Sequence, residues 1–123
     1  MRATQRKGDL ATAQAITTFT RLGYDVSVPI TESAAYDLVV DTPYGLKRVQ
    51  VKYSSGKKVD LGNIHSNSKG YVVKKAKQNS YDWLYVLYIN EKDIEEHRLT
   101  QCFVDRRRVS LTEVSRIVCG GVA

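Results

Sequence analysis

Residues 36–52, YDLVVDTPYGLKRVQVK, decide how this chain is read. The segments DLVVD (37–41) and LKRVQVKY (46–53) are rich in Val and Leu, and TPYG (42–45) between them has turn chemistry. Together they predict a β-hairpin. Strand residues alternate faces, so Arg48, Gln50 and Lys52 share one face of the returning strand while Val49 and Val51 occupy the other. In an antiparallel pair turned at residues 43–45, the start of the first strand lies beside the end of the second. At roughly 3.3 Å per residue, Asp37, Gln50 and Lys52 then meet in one small patch at the sheet edge.

A carboxylate, an amide oxygen and an amine at one point suit phosphodiester hydrolysis. Asp37 is a natural ligand for hard Mg2+, and the Gln50 side-chain oxygen and the Val51 carbonyl can add oxygen donors. Lys52 can orient or help activate water, or neutralise charge that builds up in the transition state. Spacing alone fits a strand-end ion pair equally well.

Around the hairpin, Asp9 is placed to cap a helix over residues 10–22, with Gly23 at its end and Leu10, Ala13, Ile16, Phe19 and Leu22 as its buried stripe. YDVSVPI (24–30) alternates as a short strand, which Pro29 assigns to an edge or an end. Residues 54–70 are polar and basic and predict a long loop, and 71–79 a short helix. WLYVLYI (83–89) is the most apolar run and predicts a central strand buried on both faces, with Tyr81, Trp83 and Tyr85 in the core. Residues 90–98 are expected to be an acidic surface connection and 102–104 a last strand. Residues 110–118 predict a helix capped by Ser110, with Glu113 at the capping-box position. The order is that of an α/β domain over residues 1–123, a mixed central β-sheet flanked by helices.

The net charge of +6 is unevenly spread: residues 46–80 hold nine Lys and Arg against Asp60, a balance of +8 that leaves −2 for the rest. That is the footprint of a face that binds a polyanion, or of a solvated lysine-rich surface. No apolar run reaches the roughly 18 residues of a membrane helix, and the first residues lack the apolar core of a secretory signal. A soluble, cytoplasmic protein with no membrane partner is expected. Cys102 and Cys119 have no zinc-knuckle spacing, His65 and His97 cannot complete such a site, and the absence of a GxxxxGK[ST] loop argues against a nucleotide cofactor.

The ordered series KGDLATAQAITTFTRLGYDVSVP, YDLVVD and LKRVQVK resembles the PD-(D/E)xK nuclease superfamily, in particular its small branch of intron-encoded homing endonucleases. The resemblance runs from about Lys7 to Tyr53, with a weaker echo in GYVVKKAKQNSYDWLYVL. It implies a restriction-endonuclease-like core, with Asp37 as metal-binding acid, Gln50 in place of the usual second acid and Lys52 as the signature lysine. Mg2+ is the implied cofactor, with Mn2+ as substitute. In the family, a glutamate of the first helix often completes the metal site; here its position falls near Thr12, so Asp9, Glu32 or DNA phosphate would have to help.

On this reading the partner is double-stranded DNA. Lys57, Lys58, Lys69, Lys74, Lys75 and Lys77 are phosphate clamps, and Asn63, His65, Ser66 and Asn67 have groups suited to base edges. Arg106, Arg107 and Arg108 either contact flanking DNA or pair with the acidic run. The expected activity is Mg2+-dependent, site-specific cleavage of duplex DNA. The alternatives are a structure-selective Holliday-junction resolvase of the same fold and a catalytically impaired DNA-binding protein. A double-strand break needs two active centres, so a homo-oligomer, dimer or tetramer, is expected.

Overall fold

In a computed structural model the chain is described at residues 3–31, 33–61, 63–67, 70–74, 80–104 and 106–117, with 63–67 and 70–74 described in the backbone alone. One helix, α1 (Ala3–Arg21), is followed by β1 (Asp25–Ser27), β2 (Leu38–Thr42), β3 (Gly45–Ser54), β4 (Lys58–Asp60), β5 (Asn63–Asn67), β6 (Gly70–Lys74), β7 (Trp83–Ile89), β8 (Ile94–Leu99), β9 (Arg108–Ser110), a 3-10 turn (Glu113–Ser115) and β10 (Arg116–Ile117). The main sheet has the order β1-β2-β3-β7-β8-β10. It is mixed: β3 and β7 run parallel, and the other neighbours are antiparallel.

The opening hairpin forms as expected, with Leu38 opposite Val49 and Thr42 opposite Gly45. The Thr42 hydroxyl donates to the Gly45 carbonyl at 2.8 Å and accepts the Tyr44 N–H at 3.0 Å. Gly45 takes φ 106°, a left-handed value that disfavours a side chain, so the turn depends on glycine there. The strand of residues 25–27 lies at the sheet edge, as Pro29 implies.

β7 explains the two cores. Trp83, Tyr85 and Leu87 point to one face, where they meet Ala11, Ala15 and Phe19 of α1 and Leu38, Val40, Val49 and Val51 of the hairpin. Leu84, Val86 and Tyr88 point to the other, against Val59, Leu61, Val109 and Leu111 from β4, β9 and their flanks, with Tyr81 and Phe103. Tyr81, Trp83 and Tyr85 are core residues, as read from the sequence. Phe19 is fully buried and its ring lies 5.8 Å from Tyr85, 6.1 Å from Trp83 and 6.2 Å from Tyr24.

Several expectations are corrected. α1 begins at Ala3, so Asp9 lies within the helix and does not cap it. Its buried stripe is Ala11, Ala15, Thr18 and Phe19, whereas Leu10 and Ala13 are exposed. Small residues let the helix backbone approach the sheet closely, and this outweighs the greater hydrophobicity of Leu10. The helix does end at Gly23, at φ 90°, where the Gly23 N–H bonds Thr20 O and the Tyr24 N–H bonds Phe19 O, both at 3.0 Å, a Schellman cap.

Within the expected loop 54–70 lie β4 and β5. Residues 71–74 of the expected helix 71–79 belong instead to β6, antiparallel to β5, because Tyr71, Val72 and Val73 favour a strand; residues 75–79 lie outside the described residues. The acidic connection 90–98 is in large part β8, with Glu95, Glu96 and His97 buried. Residues 102–104 form no strand, and the expected C-terminal helix is a 3-10 turn followed by β10. Among the described residues there is therefore one α-helix, and the two-stranded β4–β9 sheet covers the face where a second helix was expected. Among the described residues, no helix is long and apolar enough to cross a membrane.

Candidate active site

The site grows from the place where β2 begins beside β3. The Asp37 N–H bonds the Val49 carbonyl at 2.8 Å, and the Val51 N–H returns to Asp37 Oδ2 at 2.8 Å. The carboxylate is thus fastened to the neighbouring strand. In a strand the N–H and C=O of one residue leave by the same edge. The Val51 carbonyl therefore leaves β3 on Asp37's side, beyond the first residue of β2.

Val49 and Val51 are buried in the α1 core, which turns Arg48, Gln50 and Lys52 to the opposite face. Asp37, Gln50 and Lys52 are each half-buried. Burial lifts the Asp37 carboxyl above its ordinary 3.8, against the pull of the Val51 N–H and of Lys52. Burial likewise lowers the Lys52 ammonium from 10.5, and Asp37 and Asp60 oppose that shift. Each charge of the pair is costly to bury and is partly offset by the other.

Arg48 has a different task. Its backbone N–H donates to Asp82 Oδ2 at 2.8 Å, and its guanidinium to both carboxylate oxygens at 3.1 and 3.3 Å. The Asp82 N–H bonds the Arg48 carbonyl at 2.8 Å. These bonds lock the start of β7 to β3, two residues before Gln50.

The remaining sequence candidates are scattered. Lys57 is bonded to Glu95 at 2.6 Å and lies 4.4 Å from the Tyr88 ring centroid. Lys58 is exposed on β4. Asn63, His65, Ser66 and Asn67 lie on β5 and Lys74 on β6. Lys69, Lys75 and Lys77, like Glu32 and Cys119, lie outside the described residues. Arg106 and Arg107 are exposed before β9, and Arg108 pairs with Asp60 at 3.1 Å, not with the acidic run. Thr12 is half-buried on α1 and Asp9 is exposed.

Sequence reasoning missed two buried acids. Glu95 is held by Lys57, by His97 Nε2 at 2.9 Å and more distantly by Arg116, and the Lys57 and His97 bonds pull its carboxyl down to about 2. His97 Nδ1 lies 2.7 Å from Ser115 Oγ. On the opposite face, Glu96 accepts from the Tyr85 hydroxyl at 2.6 Å, from Thr18 and from Gln14 at 3.4 Å. Lys57, Gln14 and Thr18 are too distant in sequence for any local pattern to reveal these pairings.

Among the described residues no group of three His, Cys, Asp or Glu side chains could hold a metal ion, so the oxygen donors the patch could offer one are the Asp37 carboxylate, the Gln50 amide and the Val51 carbonyl. Such a set fits a hard divalent cation that retains waters, with one formal negative charge supplied by the protein.

The sequence matches the PD-(D/E)XK endonuclease family over residues 2–98. A search of curated proteins finds no match. Among solved structures, the chain is similar to a bacterial homing endonuclease, I-Ssp6803I, with a TM-score of 0.72 and 26% identity over 91% of this chain and 80% of that one. The family match takes in α1, the hairpin, β7 and most of β8, and with them the whole Asp37–Lys52 patch. The chain belongs to the PD-(D/E)XK endonuclease family.

Proposed function

We propose that this endonuclease is Mg2+-dependent and cuts duplex DNA at specific sites, as a homing-type enzyme, with Asp37, Gln50 and Lys52 at its centre. The observation that carries the reading is the Asp37 carboxylate bonded at 2.8 Å to the Val51 N–H, in the middle of the Gln50–Val51–Lys52 run. The likeness to a bacterial homing endonuclease supports the choice of DNA and of a homing role.

Asp37, the Gln50 amide oxygen and the Val51 carbonyl would hold the cation, which when bound supplies Lewis-acid polarisation of the phosphate and a more acidic water. The bond from the Val51 N–H keeps the Asp37 carboxylate in one orientation before substrate arrives. Lys52, as the ammonium, faces the negative charge that builds up on the pentavalent phosphate, and burial makes it lose its proton at a lower pH than a free lysine, which bounds that role on the alkaline side. Gln50 contributes an oxygen without charge. The site is therefore less negative than one with two acids and less repulsive toward DNA phosphate.

The protein acts as a homo-oligomer, dimer or tetramer, because one chain supplies one such patch and a double-strand break needs two. Lys58, Arg106 and Arg107, together with Asn63, His65, Asn67, Lys69, Lys74, Lys75 and Lys77, are the proposed contacts to DNA.

The test is incubation of supercoiled plasmid, a long-site library and a synthetic four-way junction with Mg2+, Mn2+ or EDTA. Metal-dependent cleavage at one library site supports the proposal, provided that Lys52→Ala abolishes it and leaves binding intact. Preference for the junction identifies a resolvase instead. Binding without cleavage under every condition identifies a DNA-binding protein on the nuclease scaffold.

A further inference from the structure

The cations nearest the site are mostly spoken for. Arg48 is bonded to Asp82, Lys57 to Glu95 and Arg108 to Asp60. Two others lie outside the basic segment 46–80. Arg6 and Lys7 are exposed on the first turns of α1 and have no ion-pair partner among the described residues.

The shape of α1 explains their exposure. Residues 4–10 are exposed all round, and burial begins only at Ala11. At 1.5 Å per residue, the helix overhangs the sheet by about 10 Å. Such a stretch gains little from packing beyond the contact that Lys7 makes with Tyr53. The overhang stands over the site end of β3, because Lys7 Nζ lies 5.5 Å from the centroid of the Tyr53 ring. Tyr53 directly follows Lys52 at the end of β3, and strand alternation sets its side chain on the α1 face with Val49 and Val51, across the sheet from Lys52. The ring holds the lysine stem by a cation–π contact, and the ammonium has no carboxylate partner among the described residues.

We infer that the overhanging N-terminal turns of α1 are a DNA-backbone contact, with Lys7, seated on Tyr53, and Arg6 taking phosphates past the end of β3, on the α1 side of the sheet. The inference rests on the endonuclease reading above and adds to it a surface that the basic segment 46–80 does not contain. Contacts of this kind position the duplex and read no sequence. Arg6 and Lys7 are therefore positioning residues that act through binding and not through the chemical step.

The experiment is fluorescence anisotropy of the full-length protein with a labelled duplex in EDTA, across a series of salt concentrations. Wild type is compared with Lys7→Gln, Arg6→Gln, the double variant and Arg21→Gln. Arg21 is an exposed control at the far end of the same helix, about 21 Å from Lys7. Each lost phosphate contact lowers the slope of log K against log salt by about 0.9, so the double variant is expected to fall by about 1.8 on any sequence. Arg21→Gln keeps the wild-type slope, and Lys7→Arg restores that of Lys7→Gln. In the presence of Mg2+, Lys7→Gln raises KM and leaves kcat unchanged. A wild-type slope in the double variant overturns the inference, and so does an equal fall in Arg21→Gln. Either result, with wild type still cutting in Mg2+, leaves the nuclease reading standing. Absence of DNA binding by wild type removes both.

Discussion

Replacing Asp37 in two ways separates its chemistry from its structural bond. Asn keeps an oxygen that can accept the Val51 N–H, whereas Ala leaves that half-buried donor without its 2.8 Å partner. A bond to a charged acceptor contributes roughly 1.5–3 kcal/mol and a neutral one about 1, so Asn forfeits part of it. Against that loss stands desolvation of the carboxylate, the largest influence on Asp37 and one that exceeds the combined pull of Val51 and Lys52. The net sign favours the neutral side chain. Asp37→Asn is therefore expected to match or exceed wild-type stability at pH 7 without metal, while Asp37→Ala loses about 1–3 kcal/mol. For a domain of this size that loss is a fall of several degrees in Tm. Cleavage behaves in the opposite way: Asn removes the single carboxylate of the patch and costs about 10²–10³ in kcat, comparable with losing one preorganised electrostatic contact to the reacting group. The assays are urea unfolding at pH 7 in EDTA and plasmid cleavage in saturating Mg2+. An Asn variant that cleaves within tenfold of wild type, or one as unstable as the Ala variant, would refute the reasoning.

The pH dependence of kcat/KM at subsaturating Mg2+ follows from the same pair. Asp37 holds its proton to higher pH than an ordinary aspartate and Lys52 loses its proton at lower pH than an ordinary lysine, so the acid limb lies above pH 3.8 and the alkaline limb below pH 10.5; an acid limb at or below 3.8 contradicts the burial of Asp37. Phe19→Ala empties the space among Tyr24, Trp83 and Tyr85 and is expected to cost about 3–5 kcal/mol in urea unfolding; a loss under about 1.5 would show that α1 contributes little to the core. Thr12→Glu places a carboxylate at the helix position where the family resemblance implies a further metal ligand. It is expected to lower the Mg2+ needed for half-maximal cleavage roughly tenfold, about 1.4 kcal/mol, and an unchanged requirement would place Thr12 away from the metal.

What the sequence made legible was governed by local chemistry. The hairpin of residues 38–54 depends on its turn and its β-branched strands, and β7 on an unbroken apolar run; both follow from neighbours in the chain. So does the Schellman cap at Gly23. The nearness of Asp37 to Val51 and Lys52 was accessible for the same reason, since a hairpin fixes its own register. What failed was decided at long range. Glu95 and Glu96 read as surface acids because their partners, Lys57, Gln14 and Thr18, come from elements 38 to 82 residues away. The helix expected at 71–79 gave way, over residues 71–74, to pairing with a strand that polar composition had concealed. In α1, close approach to the sheet favoured alanines over the larger apolar residues of the expected stripe.

The small β4–β9 sheet has a consequence for how the protein is made. β4 leaves the site strand after a short turn, yet its partner β9 arrives some 50 residues later, near the C-terminal end of the described chain. Val59 and Leu61 find Val109 and Leu111 only then, and β8 gains its edge partner β10 later still. On the ribosome, α1 and the hairpin can assemble early, but the layer over the site face stays open until residues 108–117 have emerged. Formation of the complete site is thereby tied to the emergence of β9 and β10, and a chain terminated before them is left with an unsealed core that cellular proteases can recognise.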